Sequence, residues 1–260
     1  MTVGIGVLAA TASLSNQGKS IGVIAGLLLL FVNGALMYRE RRRGGLAVSV
    51  QEDFDCMVFQ LPWNDVLLRR RPTGQEIAAA ADHYDGDRTR DWYPSTAGLP
   101  RPLDVIVCQQ SNVGWGAPVH RAWGWTMVGS ILALAAVQAA GWAVAGLSLA
   151  DGLDGLIAPF LATYWEISEI GRRNFESARA KEGCQDQLLN DWSSAMSGDP
   201  ISEERCRRYQ DAVTHIRQQN AQVPDCFDRR LRSRNEKAMR ATAVDMIEQA
   251  RRAGLLEGTP

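Results

Sequence analysis

The sequence predicts an all-α membrane protein with two transmembrane helical hairpins, a mainly helical cytoplasmic insert between them and a helical cytoplasmic C-terminal tail. The first observation is that uncharged runs at 20–38 and 122–150 are long enough to span a bilayer as helices, and a shorter uncharged run occupies 1–18. The second is that basic residues flank these runs, although the formal net charge of the whole chain is only −1. Average composition therefore conceals strong segregation of charge along the chain.

The first hairpin is predicted at residues 1–38, with apolar segments at 2–14 and 21–38 joined by a turn at 16–19. The alternative is a cleaved signal peptide, but no Lys or Arg precedes the first apolar run and a longer run follows it. Asn33 is a polar residue inside the second segment. In lipid such a side chain faces a neighbouring helix or a water-filled path.

The cytoplasmic insert, residues 39–121, should begin with an amphipathic helix that continues from the first hairpin and ends near Pro62. Apolar side chains recur there at helical spacing, with acidic residues between them. We therefore expect Phe54, Val58 and Leu61 to pack on the tail helices, and the acids to face solvent or nearby arginines. This makes the segment a candidate coupling helix.

The rest of the insert is predicted to be mostly irregular. Thr73–Glu76 has the sequence of a capping box, which should open a short helix through Ala81. Residues 82–103 are rich in Asp, Gly, Pro and aromatics, as loops are. The apolar run that follows is compatible with helix or strand, and it leads into the third membrane segment.

The second hairpin is predicted at residues 122–165. Its first segment, 123–148, is rich in Ala and Gly, which allow close approach of helices in lipid. Its second segment, 155–165, is short and contains Pro159, so a core helix or a re-entrant segment is the alternative to a fourth crossing. Its position directly after a clear span favours four crossings.

Few polar residues lie within or between these segments. Gln138 lies inside the third segment, and Asp151 and Asp154 lie in the predicted outer turn of the second hairpin. Simple hydrogen bonding between helices is the alternative to pore lining for Gln138 and Asn33. Together these four residues are the intramembrane or pore candidates.

The tail, residues 166–260, should form helices at 164–189, 203–219 and 227–253, with a break at Val223-Pro224. A block of arginines at 229–234 has the charge to bind phosphate, although such a block is more often the solvated face of a helix.

Positive charge predicts the topology. The short loop of the first hairpin carries one Lys, and the short loop of the second carries no basic residue. The regions that flank the hairpins, in contrast, are basic. The flanking basic residues are Arg39, Arg41, Arg42, Arg43, His120, Arg121, Arg172, Arg173, Arg179 and Lys181. The positive-inside rule therefore places the insert and the tail in the cytoplasm.

No familiar catalytic or metal-binding pattern is present in the sequence. It has no phosphate-binding glycine loop, nucleophile elbow or zinc-protease helix. The five cysteines are widely spaced and without a CxxC pair, so reduced thiols are expected and no metal site or cofactor is predicted. We therefore do not expect an enzyme.

Four ordered motifs resemble the SMODS-associated four-transmembrane effector family. They are VQEDFDCMVFQLPWN at 50–64, DWYP at 91–94, CQQSNVGW at 108–115 and YQDAVTHIRQQNAQVPDC at 209–226. The order of hairpins, insert and tail is also the same. Members of that family usually carry a helical stretch before the first span and an acidic residue where this chain has Gly116, so the sequence departs from the pattern at two points.

The resemblance implies a pore-forming effector of a bacterial anti-phage system. A cyclic-oligonucleotide synthase makes a second messenger during infection, and the effector permeabilises the inner membrane and causes abortive infection. The implied partners are the lipid bilayer, further copies of the chain in a homo-oligomer and possibly the nucleotide product, with no nucleic acid. The coupling or ligand candidates in the motifs are Phe54, Trp63, Asn64, Trp92, Tyr93, Asn112 and Trp115.

Two other function classes stay open at this point. One is a membrane-anchored sensor or scaffold that recruits a toxic partner. The other, less favoured, is a membrane-bound enzyme with an unfamiliar site.

Overall fold

The computed structural model describes residues 16–82 and 91–256, and all regular secondary structure within these ranges is helical. The helices are α1 (Asn16–Phe59), α2 (Gly74–Ala81), α3 (Leu103–Ala145), α4 (Leu149–Gly152), α5 (Leu161–Met196), α6 (Glu203–Gln219) and α7 (Asp225–Arg252). A π-helical turn, Leu153–Ile157, and a 3-10 turn, Ala158–Phe160, connect α4 to α5. The all-α prediction is confirmed for this part of the chain.

The chain divides into two compact units, and α1, α3 and α5 each contribute residues to both. The first unit comprises Met1–Arg42 and Ala122–Asn174. The second comprises Arg43–Arg121 and Phe175–Pro260.

In the first unit, α3 and α5 lie antiparallel against each other. The Tyr164 hydroxyl donates to Gln138 Oε1 at 2.5 Å. Further along, a Cβ added to Gly171 would lie 3.2 Å from Met127 Cβ, which shows how closely the two helices approach there. The residue numbers of these contacts run in opposite directions along the two helices, so α3 and α5 are antiparallel in this unit.

Apolar side chains cover much of the outside of the first unit. Phe31, Leu132, Val137, Val144 and Trp165 are all more than half exposed. Within the described residues, one helix, Leu103–Ala145, is long and apolar enough to cross a membrane. No second described helix meets this criterion, and the first apolar segment, 2–14, lies outside the described residues, so the four spans and the two transmembrane hairpins stay predictions.

Two predicted turns differ from the structure. Residues 16–19 form the first turn of α1 instead of a connection. In the second hairpin the chain reverses at 146–148, where Gly146 has a φ of +59° that favours glycine. The predicted turn around Asp151 is helical because the Ser148 side chain caps α4 by accepting from the Asp151 amide.

The second unit has a continuous apolar core formed by α3, α5, α6 and α7. Its most deeply buried side chains include Ile106, Leu188, Trp192, Cys206 and Met246. Trp192 is 1% exposed, and its indole Nε1 donates to Gln249 Oε1 at 2.9 Å, so its polar atom is satisfied within the core.

The helix ends follow local sequence signals. α1 ends because Gln60 adopts a left-handed φ of 51°, and the Leu61 amide then bonds back to the Cys56 carbonyl at 3.0 Å. Thr73 and Glu76 form the predicted capping box of α2. The predicted helix at 203–219 is confirmed in its bounds, since Ser202 caps α6 through the Arg205 amide.

Candidate functional site

The acidic residues near the end of α1 face inward, and the apolar residues beside them face outward. Glu52 and Asp55 are 2% and 1% exposed, whereas Phe54 and Val58 are 41% and 45% exposed. The prediction that Phe54 and Val58 are the packing residues is therefore wrong, although Leu61 is buried as expected. The physical reason is that α6 presents a row of hydrogen-bond donors to this face of α1.

Glu52 is held by three side chains of α6. Arg207 Nη2 lies 2.7 Å from Glu52 Oε1, and Gln210 Nε2 donates to Oε2 at 2.7 Å. The Thr214 hydroxyl also donates to Oε2. The nearby Cys56 thiol has its pKa raised to about 11, first by burial and then by the charge of Glu52, so it is protonated at neutral pH.

Asp55 bonds to three elements of the second unit, of which α6 also holds Glu52. The Tyr93 hydroxyl donates to Asp55 Oδ1 at 2.5 Å, and Gln210 Nε2 donates to Oδ2 at 2.9 Å. Asn112 Nδ2 lies 3.5 Å from Oδ2 and donates to the Tyr93 hydroxyl at 3.1 Å. Arg217 Nη1 forms an ion pair with Oδ2 at 2.8 Å. The end of α1 is thus bonded to the DWYP segment, α3 and α6.

A cleft of about 180 Å³ opens beside Asp55. Its lining residues come from the end of α1, the DWYP segment, α3, α5, α6 and α7. They are Gln51, Asp91, Trp92, Tyr93, Ser111, Asn112, Trp115, Gly116, Lys181, Arg217, Asn220, Arg232, Glu236, Met239 and Arg240. Tyr93, Asn112 and Arg217 therefore belong both to the cleft and to the bonding partners of Asp55.

One wall of the cleft is aromatic. The rings of Trp92 and Trp115 lie 6.5 Å apart at 38°, and Trp92 is 41% exposed. The guanidinium of Arg232 lies 5.8 Å from the centre of the Trp115 ring, within the range of a cation–π contact.

Positive charge predominates over negative charge in the lining. The lining contains four basic side chains and two acidic ones. The basic residues are Lys181, Arg217, Arg232 and Arg240, and the acidic residues are Asp91 and Glu236. Burial first, and Arg217 second, lower the pKa of Lys181 to about 8. The Lys181 side chain lies over Gly116, where any added Cβ would overlap its amino group.

The motif residues Trp63 and Asn64 lie away from the cleft and order the segment after α1. Trp63 Nε1 donates to the Leu68 carbonyl at 3.0 Å, and Arg71 covers the ring at 5.5 Å. Asn64 Oδ1 accepts from the Val66 amide at 3.0 Å, while its Nδ2 donates to Asp211 at 3.0 Å. Phe54 stacks on Tyr93, with ring centres 6.1 Å apart.

The membrane candidates are not brought together in one place. Gln138 is 6% exposed and bonded to Tyr164, as expected for hydrogen bonding between helices. Asp151 and Asp154 are exposed, and Asp151 bonds to Ser148. Asn33 lies in α1, and its side chain is outside the described part of the structure.

Sequence reasoning did not single out the α6 side chains that hold Glu52 and Asp55. Arg207, Gln210, Thr214 and Arg217 form one polar stripe at helical spacing. Within the described parts of the chain, no group of three or more His, Cys, Asp or Glu residues has the geometry to hold a metal ion. Cations, amides and aromatic faces around a cleft suit binding of an anionic, partly aromatic molecule.

Comparison with known proteins relates the chain to one curated protein and one family. It is 25% identical over 209 residues to a protein of Bacillus cereus (strain VD146) named "Probable CBASS effector molecule". The match covers 76% of this chain and 68% of that protein. No solved structure is detectably similar to the chain. The model of the SMODS-associating 4TM effector domain matches residues 1–246, and the chain belongs to this family.

Proposed function

We propose that this protein is the membrane effector of a bacterial anti-phage system that signals through a cyclic oligonucleotide. In this proposal, activation makes it permeabilise the inner membrane, which causes abortive infection. The proposal is carried by membership of the chain in an effector family. It is supported by the part of α3 in the first unit, which exposes apolar side chains. A helix of that kind is stable when lipid covers it.

The proposed topology has four spans, with the insert and the tail on the cytoplasmic side. It is supported by the basic residues that flank the apolar segments, which the positive-inside rule assigns to the cytoplasm. A bundle of four helices is too narrow to enclose a wide pore, so the leaking state is proposed to be a homo-oligomer. Asn33, Gln138, Asp151 and Asp154 remain the candidates for lining it.

The proposed effector is not an enzyme. The thiol of Cys56 is protonated at neutral pH, because its pKa is raised to about 11. Burial, together with the charge of Asp55, also raises the pKa of Tyr93. Neither group is therefore activated as a nucleophile, and the charged side chains around Asp55 are engaged with one another.

Leakage is the decisive test of this function. The full chain would be expressed in bacteria with an active cyclic-oligonucleotide synthase and with an inactive synthase as the matched control. Loss of membrane potential and entry of a membrane-impermeant dye should follow only with the active synthase. Unchanged potential and dye exclusion, with the protein present in the membrane, would refute permeabilisation.

A sensor or scaffold that recruits a toxic partner is the second candidate. It is favoured by the exposed apolar side chains Phe54, Met57 and Val58 on the outer face of α1 in the second unit. A Phe54→Asp, Val58→Asp variant would separate the candidates. Loss of a co-purifying partner, together with a lack of leakage from liposomes containing the pure protein, would favour the scaffold.

A further inference from the structure

Lys181 has no acidic partner in the cleft, and the ion pair of Arg217 with Asp55 leaves its Nη1 without a well-aligned hydrogen bond among the described residues. Within residues 16–82 and 91–256, no carboxylate lies within ion-pair distance of the Lys181 amino group, and Arg217 lowers its pKa by repulsion. Arg217 Nη1 lies 2.8 Å from Asp55 Oδ2, but among the described residues it has no well-aligned hydrogen-bond acceptor. A partly buried, unpaired cation beside an existing ion pair is unfavourable unless a further anion joins it.

The same cleft offers an exposed aromatic face and several amides. Trp92 is 41% exposed beside Trp115, so part of its ring is available to a planar group. Asn220 and Gln51 add hydrogen-bonding side chains to the lining. Cations for phosphate oxygens, an indole for a base and amides for base edges are the groups by which proteins bind nucleotides.

We propose that this cleft is a nucleotide site in which Lys181 and Arg217 bind phosphate and Trp92 stacks on a base. The assignment rests on the proposed function in one respect, namely that the nucleotide is the cyclic-oligonucleotide messenger. With four basic and two acidic side chains in its lining, the cleft suits a ligand with more than one phosphodiester charge.

Arg217 connects this site to α1. In the structure its Nη1 is shared between the cleft and Asp55, and Tyr93 and Asn112 bond to Asp55 from the same cleft. A phosphate bound to Arg217 competes with Asp55 for that guanidinium. Ligand binding therefore weakens one of the bonds that hold the end of α1 in the second unit, because a shared charge interacts less strongly with each of two anions.

The test uses the full chain purified in detergent micelles. Binding of a panel of cyclic dinucleotides and trinucleotides of adenosine, guanosine, cytidine and uridine would be measured by equilibrium dialysis. The variants are Lys181→Met and Trp92→Leu, and the matched control is Arg230→Met, which removes an exposed charge from α7 outside the cleft lining. At least one panel member should bind, and each cleft variant should weaken it about tenfold or more, with the control unchanged.

Stability separates a lost site from a lost fold. Lys181→Met removes a partly buried charge whose desolvation is unfavourable, so its thermal unfolding temperature should equal or exceed that of the original chain while binding is lost. Equal weakening by Arg230→Met, or no binding by any panel member, would overturn the proposal. So would displacement of the nucleotide by an equal concentration of inorganic phosphate, or by vesicles of phosphatidylglycerol, since either identifies a site for phosphate or lipid headgroups alone.

Leakage measured on the same preparations keeps the two proposals apart. Binding that depends on Lys181 and Trp92 without leakage from liposomes would support this site and refute the proposed permeabilisation. Leakage triggered by a panel member that binds equally well to the cleft variants would support permeabilisation and refute the site.

Discussion

Removing the positive charge opposite Glu52 should destabilise the second unit more than removing the carboxylate itself. Glu52 is 2% exposed, and its partner Arg207 lies 2.7 Å away on α6. In Arg207→Met the carboxylate remains buried with only neutral donors, namely Gln210, Thr214 and the Cys56 thiol. In Glu52→Gln the guanidinium still pairs with Asp211 at 2.7 Å, so the remaining charge is not isolated.

The expected magnitudes follow from this asymmetry. An unpaired buried carboxylate costs about 3–5 kcal/mol, so Arg207→Met should lower the free energy of unfolding by that amount. Glu52→Gln should cost about 1–3 kcal/mol, since neutral hydrogen bonds replace charged ones. The double variant should be more stable than the sum of the two losses predicts, with a coupling energy of about 2 kcal/mol.

Urea unfolding in mixed micelles, followed by tryptophan fluorescence, would measure these differences, because Trp192 is buried in the same unit. The control is Glu248→Gln, which removes an exposed ion pair with Arg251 and should cost less than about 1 kcal/mol. Losses that add within about 0.5 kcal/mol, or a larger loss in Glu52→Gln than in Arg207→Met, would refute the reasoning.

Three further predictions concern other parts of the chain. The pKa of Lys181 is lowered from 10.5 to about 8, so between these pH values the unfolded chain binds a proton at Lys181 that the folded chain does not. The free energy of unfolding should therefore rise from pH 8 to 10.5, and it should rise less in Lys181→Met. Parallel curves of this free energy against pH for the two proteins would contradict the prediction. Cys226 is exposed, whereas the other four thiols are buried and have pKa values raised to about 11 or 12. One thiol per native chain should therefore react with a maleimide at pH 7. More than two labelled thiols per chain would contradict the packing. Gln138→Leu removes the hydrogen bond from Tyr164, so the free energy of unfolding in dodecyl sulfate should fall by about 1 kcal/mol. Adding Tyr164→Phe to this variant should cost nothing more. A further loss of equal size would show that the two residues act separately.

The helices could be predicted from the sequence because their signals are local. The break at Val223-Pro224 separates α6 from α7, and the Thr73–Glu76 pair marks the start of α2. The face of α1 that is buried could not be predicted in the same way. Periodicity assigns charged side chains to solvent, whereas the partners of Glu52 are on α6, more than 150 residues further along the chain.

The candidate site was predictable in part. The motif residues Trp92, Tyr93, Asn112 and Trp115 were singled out from two separate stretches, and all four line one cleft. Lys181 was counted only as a topology signal, because no single sequence shows which lysines end up between helices. The polar stripe of α6 was visible at helical spacing, but a polar stripe on an isolated helix normally faces water.

In the proposed nucleotide site, Gly116 has a consequence for sensitivity to the ligand. A side chain at this position would meet the amino group of Lys181. An aspartate there would be a permanent counterion inside the cleft, so an incoming phosphate would have to displace it. In that proposal, glycine removes the internal competitor and lowers the ligand concentration needed for half occupancy. Any larger residue at 116 should raise that concentration, because its side chain would also displace the Lys181 amino group.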